Sequence, residues 1–138
     1  MRLVVIGAAL AGIGVSVYLT VVHANAGALV CSTSGVVNCE RVLSSAYGTI
    51  LGTPVPTSAA GIVWFAVSGA LAYSWRRDAL LAWSALGLVT VLYLIYVEID
   101  RVGAVCVWCT AAHALVLVTL GAVLTDRYSA AARAPARR

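Results

Sequence analysis

The sequence predicts an all-α membrane protein, a four-transmembrane-helix bundle with an extracytoplasmic cap that contains a short amphipathic helix. Two observations predict this class. Of the 138 residues, 62% are hydrophobic and 10% are charged, whereas about a quarter of an average soluble domain is charged. Four runs lack Asp, Glu, Lys and Arg: 3–22, 58–75, 79–97 and 102–125. Each is close to the ~20 residues that a helix needs to cross a hydrocarbon core of ~30 Å.

The first run, 3–22, predicts a helix that remains in the mature protein. The sequence ANA at 24–26 resembles the cleavage site of a signal peptide, so removal of this run is the alternative. Its apolar stretch exceeds the usual ~7–15 residues, however, and its basic region is Arg2 alone. Ala8 lies four positions before Gly12, a spacing of small residues that lets membrane helices approach closely. We therefore expect a retained helix in close contact with a neighbour.

A segment of 35 residues, 23–57, separates the first two runs. It is too long for a structureless connection in a small protein. Within it, NCERVLSSAYG predicts a short amphipathic helix that Asn38 caps and Gly48 ends. The prolines of TILGTPVPTS break any continuing helix, and Thr57 and Ser58 begin the second span. We expect this segment to cap one end of the bundle.

The arginines predict the orientation, because the chain contains no lysine. Arg41 and Arg101 lie at one set of helix ends, and seven arginines lie at the other. By the positive-inside rule, the larger set marks the cytoplasmic side. We therefore expect both termini, the tail 126–138 and the turn YSWRRD in the cytoplasm, with the segment 23–57 and the turn EIDR outside.

All four cysteines lie on the outer side in this orientation, in a compartment that permits disulfides. Cys31 and Cys39 belong to the long outer segment, whereas Cys106 and Cys109 form a Cys-x-x-Cys pair at the mouth of the fourth run. Thiols three positions apart share one helix face, and the positive end of the helix dipole stabilises a thiolate there. His113 follows Cys109 by four positions, so we expect it on the same face and deeper.

Other interpretations of these residues stay open at this point. Two static disulfides would staple a non-enzymatic membrane scaffold. A small transporter usually shows internal repeats and charged or broken helices at mid-membrane, and we find neither. A zinc site favours two short-spaced cysteine pairs, whereas Cys31 and Cys39 are eight positions apart. A histidine inside a span, such as His113, often only hydrogen-bonds a neighbouring helix.

Three features resemble one protein family: the wide cysteine pair, the run CERVLSS, and the Cys-x-x-Cys pair at the outer end of the last helix. They are similar to those of the vitamin K epoxide reductase family and its bacterial members, over about residues 3–125. The resemblance implies a single four-helix domain in the bacterial cytoplasmic (inner) membrane, acting as a thiol:quinone oxidoreductase. It also implies a separate thioredoxin-fold partner and a membrane quinone, menaquinone or ubiquinone, as acceptor. No metal or nucleic acid is expected.

We predict that these four cysteines form a thiol relay. A reduced partner attacks the Cys31–Cys39 disulfide at Cys31, and the freed Cys39 then attacks Cys106. Cys109 is released as a thiolate beside the quinone, and Cys106 closes back on Cys109 after the electrons have been passed on.

Two more residues correspond to positions near the active site of the family. Ser45, six residues after Cys39, matches a loop serine. His113 stands where the animal enzymes have a tyrosine that contacts the quinone. We therefore predict that Ser45 and His113 contact the quinone.

Overall fold

Within residues 1–25, 29–31, 35–50 and 52–133, the part of the chain that the computed structural model describes, the backbone forms five α-helices and no strand. The helices are α1 (Arg2–Ala24), α2 (Cys39–Leu43), α3 (Thr57–Tyr73), α4 (Arg77–Tyr96), which continues directly into a π-helical segment (Val97–Val102), and α5 (Val107–Arg133). The predicted all-helical class is confirmed. Residue 26 of the ANA sequence, parts of the predicted cap and residues 134–138 of the predicted tail lie outside the described residues.

Three helices of the described chain are long and apolar enough to cross a membrane: Arg2–Ala24, Arg77–Val102 and Val107–Ala132. The other long apolar helix, α3, has 17 residues. At about 1.5 Å per residue α3 rises about 25 Å, somewhat less than a core of about 30 Å. Each charge-free run therefore coincides largely with one helix, while a fourth crossing remains a prediction.

The connection between the last two long helices differs from the sequence prediction. Residues 98–101, predicted as a turn, belong to the π-helical segment, which ends where Gly103 adopts a left-handed conformation with φ of 65°. The last helix begins at Val107 and not at 102, so Cys106 precedes it. Charged side chains mark where a helix meets water, but they do not end it. The helix ends at Gly103 instead, because the left-handed conformation there interrupts it, and residues other than glycine rarely adopt that conformation.

The far end of α5 also extends past the predicted limit of 125, and ion pairs connect this part of the helix to α4. Arg77 lies 3.1 Å from the carboxylate of Asp126. Arg127 pairs with Asp78 in the same region. These charges join the beginning of α4 to the last turns of α5.

The short helix α2 agrees with the prediction at its start and differs at its end. The Asn38 side chain accepts a hydrogen bond from the Arg41 N–H at 2.9 Å, which confirms that Asn38 caps the N-terminus of this helix. The helix ends at Leu43, however, and turns follow up to Gly48. The N–H of Gly48 donates to the carbonyl of Ser45 at 2.9 Å, so local turns replace the last helical bonds.

Close packing of α1 against α3 organises the bundle, and α5 packs against both α1 and α4. Gly12 of α1 is buried against the ring of Phe65, and a Cβ atom at Gly12 would lie 2.4 Å from that ring. The predicted close approach therefore occurs at Gly12.

The described residues before α2 are attached to the bundle end that carries Cys106. Val37 and Val105 form a parallel bridge, in which Val105 N–H donates to Val36 at 2.8 Å. The Trp108 indole N–H donates to the carbonyl of Val30 at 3.0 Å. These bonds hold the cysteine-bearing segment against the beginning of α5.

Candidate active site

The four cysteines lie together at this end of the bundle. Cys31 and Cys39 form a disulfide with a Cα–Cα distance of 6.1 Å. Cys106 and Cys109 are free thiols. Cys39 and Cys106 are both 0% exposed and belong to one apolar cluster with Leu19, against which Cys31 and Cys109 pack. The fold therefore brings a disulfide and a dithiol into the same buried cluster.

Cys106 caps the beginning of α5 with its sulfur. The N–H of Cys109 donates to Cys106 Sγ at 3.3 Å, and the N–H of Thr110 donates to the Cys106 carbonyl at 2.9 Å. Side-chain hydrogen bonding from Cys109 lowers the pKa of the Cys106 thiol, against the opposing effect of burial. Because unpaired N–H groups at a helix N-terminus favour negative charge, this position stabilises a Cys106 thiolate.

A cavity of about 660 Å³ lies beside the thiols. Cys109 lines it, whereas Cys106 does not. Most of its wall is apolar, with aromatic side chains from Trp64, Phe65 and Trp83 and aliphatic ones from Leu86, Leu94 and Val116. The volume is within the ~300–1,000 Å³ of typical small-molecule sites. An apolar ligand can therefore reach one thiol of the pair and not the other.

Both predicted contact residues outside the cysteines line this cavity. His113 is 8% exposed and lies four positions beyond Cys109 on α5. Ser45 follows α2, and its hydroxyl donates to the Val42 carbonyl at 2.7 Å. The Ser45 oxygen keeps its acceptor capacity for a ligand, but donating would require it to give up this local bond. Only His113 of the two is thus placed to donate freely.

Glu98 also belongs to this site, although its sequence context predicts a turn that is exposed to solvent. It lies in the π-helical segment and is only 6% exposed. Its carboxylate accepts a hydrogen bond from the backbone N–H of Cys106 and contacts the thiol of Cys109. It also lines the cavity. The signal that could have found it is an acidic residue at the end of an apolar run, shortly before a Cys-x-x-Cys pair.

In the described part of the chain, no group of three or more His, Cys, Asp or Glu residues is arranged to hold a metal ion.

Comparison with protein families provides the identification. The sequence profile of the vitamin K epoxide reductase family matches residues 3–124 of the 138-residue chain. The chain belongs to this family. A search of curated proteins found no match. Membership of this family indicates a membrane thiol–disulfide oxidoreductase, and the three long apolar helices and the disulfide agree with it.

Proposed function

We propose that this protein is a membrane thiol:quinone oxidoreductase that reoxidises a separate thioredoxin-fold protein. The electrons pass through Cys31 and Cys39, then through Cys106 and Cys109, to a membrane quinone. The observation that carries this proposal is the position of Cys109, which lines an apolar cavity while its neighbour Cys106 faces the buried disulfide cluster.

The cavity residues fit a quinone. Its apolar wall, with several aromatic side chains, suits the ring and a prenyl chain, and His113 supplies a donor for one carbonyl oxygen. Ser45 can donate to the other carbonyl oxygen by giving up its bond to the Val42 carbonyl. A bound quinone, menaquinone or ubiquinone, accepts two electrons and two protons. The role of the protein is to hold the ring against Cys109 and to keep water out.

The exposure of the cysteines supports the order of the relay. Cys31 is partly exposed and Cys39 is buried, so a partner thiolate attacks Cys31 and Cys39 leaves. Cys39 then opens the Cys106–Cys109 disulfide by attacking Cys106 within their shared cluster. A second partner thiol frees Cys31, which closes on Cys39 and releases Cys106. The resulting state has one closed loop disulfide and a Cys106/Cys109 dithiol.

The proposed setting is the cytoplasmic (inner) membrane of a bacterium, with four crossings and both termini in the cytoplasm. The arginine distribution supports this orientation. In a cysteine-free variant of the full chain, Ser44→Cys should react with a membrane-impermeant thiol reagent in intact cells, and Arg77→Cys should not. Labelling of Arg77→Cys from outside would contradict the orientation and the proposed cap.

The function is tested with purified protein in lipid nanodiscs, a short-chain quinone and a reduced thioredoxin-fold protein of the periplasmic type. Loss of quinone absorbance should accompany partner oxidation at one quinone per partner disulfide, as the two-electron balance requires. The Cys109→Ala variant should abolish quinone reduction. A static disulfide scaffold would instead leave quinone and partner unchanged, and its cysteines would stay oxidised in quinone-depleted cells.

A further inference from the structure

Glu98 has an environment that packing alone does not explain. Its backbone carbonyl accepts N–H bonds from Gly103 and from Ala104, the latter at 3.1 Å, so the main chain is held where the π-helical segment ends. Segments of this type occur frequently at functional sites. The next three residues, 99–101, are exposed, whereas Glu98 turns inward to the cavity. The irregular turn thus directs one carboxylate towards the thiols.

The charge of this carboxylate is balanced by hydrogen bonds and not by a cation. None of the ion pairs among the described residues includes Glu98. Its contacts are the Cys106 N–H and the Cys109 thiol. A buried carboxylate without a cation is costly, and an ionisable group inside a membrane span is a functional candidate for that reason.

Closure of the Cys106–Cys109 disulfide removes two electrons from the pair, together with the proton of Cys109 and any proton that Cys106 still carries. We infer that the Glu98 carboxylate accepts the thiol proton of Cys109 during this step and holds it at the cavity until the acceptor takes it. The second proton of the acceptor comes from Cys106 where that thiol is protonated, and otherwise from water. This inference rests on the proposed function for the identity of the acceptor, a quinone that becomes a quinol by taking both electrons and both protons.

The geometry favours Glu98 over the other titratable groups nearby. His23, Tyr47 and His113 also line the cavity, but the groups that contact the Cys109 thiol are Cys106 and Glu98. Cys106 becomes the other half of the new disulfide and cannot keep the proton. Once the disulfide has formed, Glu98 loses the thiol as a hydrogen-bond donor, and its burial then favours the neutral, protonated form.

The test counts protons without any quinone. In a Cys31→Ala, Cys39→Ala background, the remaining Cys106/Cys109 pair is reduced and then oxidised near pH 7 with ferricyanide, which takes electrons only. A pH indicator dye reports the protons released. Glu98→Gln should release up to one proton more per disulfide than the parental pair, because no carboxylate is left to retain the Cys109 proton. Asp100→Asn removes an exposed carboxylate from the same segment and should behave like the parental pair.

A second measurement connects this proton to turnover. In the full chain, single-turnover quinone reduction by Glu98→Gln should be at least tenfold slower than the parental rate. Glu98→Asp should retain a larger part of the rate, because it keeps a carboxylate. Equal proton release by the parental pair and by Glu98→Gln would overturn the inference, and so would equal rates of quinone reduction for Glu98→Gln and the parental chain. If the parental chain does not reduce quinone, the proposed function fails, while the ferricyanide count still decides the role of Glu98.

Discussion

Replacing His113 by Phe tests whether this residue polarises the quinone or only fills space. His113 is 8% exposed on the wall of a mostly apolar cavity, four positions beyond Cys109. A neutral imidazole can donate one hydrogen bond to a quinone carbonyl oxygen on which negative charge develops. In water-excluded sites, losing one such bond costs roughly 2.7–4 kcal/mol, whereas an ordinary neutral hydrogen bond contributes about 0.5–1.5 kcal/mol.

The expected cost lies between these two ranges, because His113 is buried but faces a neutral acceptor. About 2 kcal/mol corresponds to a rate of quinone reduction about 30-fold lower. Phe fills a similar volume without a polar atom, so the helix packing should be preserved. The assay is single-turnover quinone reduction by the prereduced protein in nanodiscs.

Two controls separate chemistry from packing. Exchange of the Cys31–Cys39 disulfide with a dithiol reductant should keep the parental rate in His113→Phe, since that pair does not line the cavity. His113→Tyr restores a donor and should retain much of the quinone activity. A parental quinone rate in His113→Phe would refute the reasoning and would direct the search for the acceptor contact to Ser45.

Two further predictions concern the relay and the bundle. Cys109→Ser should accumulate a Cys39–Cys106 disulfide, because the Cys106 thiolate can attack Cys39 of the loop disulfide, with Cys31 as the leaving group, and no Cys109 thiol remains to resolve the bridge. Peptide mass spectrometry that found a bridge from Cys31 to Cys106 would reverse the assigned roles. Gly12→Ala should lower the thermal unfolding temperature, because its Cβ would lie 2.4 Å from the phenyl ring of α3 that packs against it. At Gly14 on the same helix, an added Cβ meets no atom within 4 Å. Gly14→Ala should therefore leave the unfolding temperature equal or higher, since alanine stabilises a helix by about 0.5–1 kcal/mol over glycine. A loss of stability in both variants would contradict the packing explanation.

Much of the site could be predicted from local pattern. The Asn38 cap depends on a side chain and an N–H three positions apart, so the sequence contains both partners. The position of His113 beyond Cys109 follows from helical periodicity, and both line the same cavity. The order of loop pair and Cys-x-x-Cys pair led to the family that the profile comparison shows. Each of these features involves residues that are close in sequence or a pattern typical of the family.

The role of Glu98 could not be predicted in this way. A charged residue in EIDR is typical of a turn in water, and Asp100 and Arg101 of the same stretch are indeed exposed. Whether a residue in such a stretch faces solvent or the bundle depends on the phase of the helix. The π-helical turn changes that phase, and sequence periodicity does not reveal it.

The sequence by itself determined that the chain is helical and suited to a membrane, because apolar side chains must avoid water wherever they are placed in the chain. Tertiary structure decided where the helices stop and which groups meet. Arg77 of α4 lies beside Asp126 of the last helix, and Glu98 is directed to Cys109 by a turn that ends at Gly103. The cavity beside Cys109 likewise exists only between packed helices. Burial preference is a property of each residue, whereas these contacts join residues far apart in the chain.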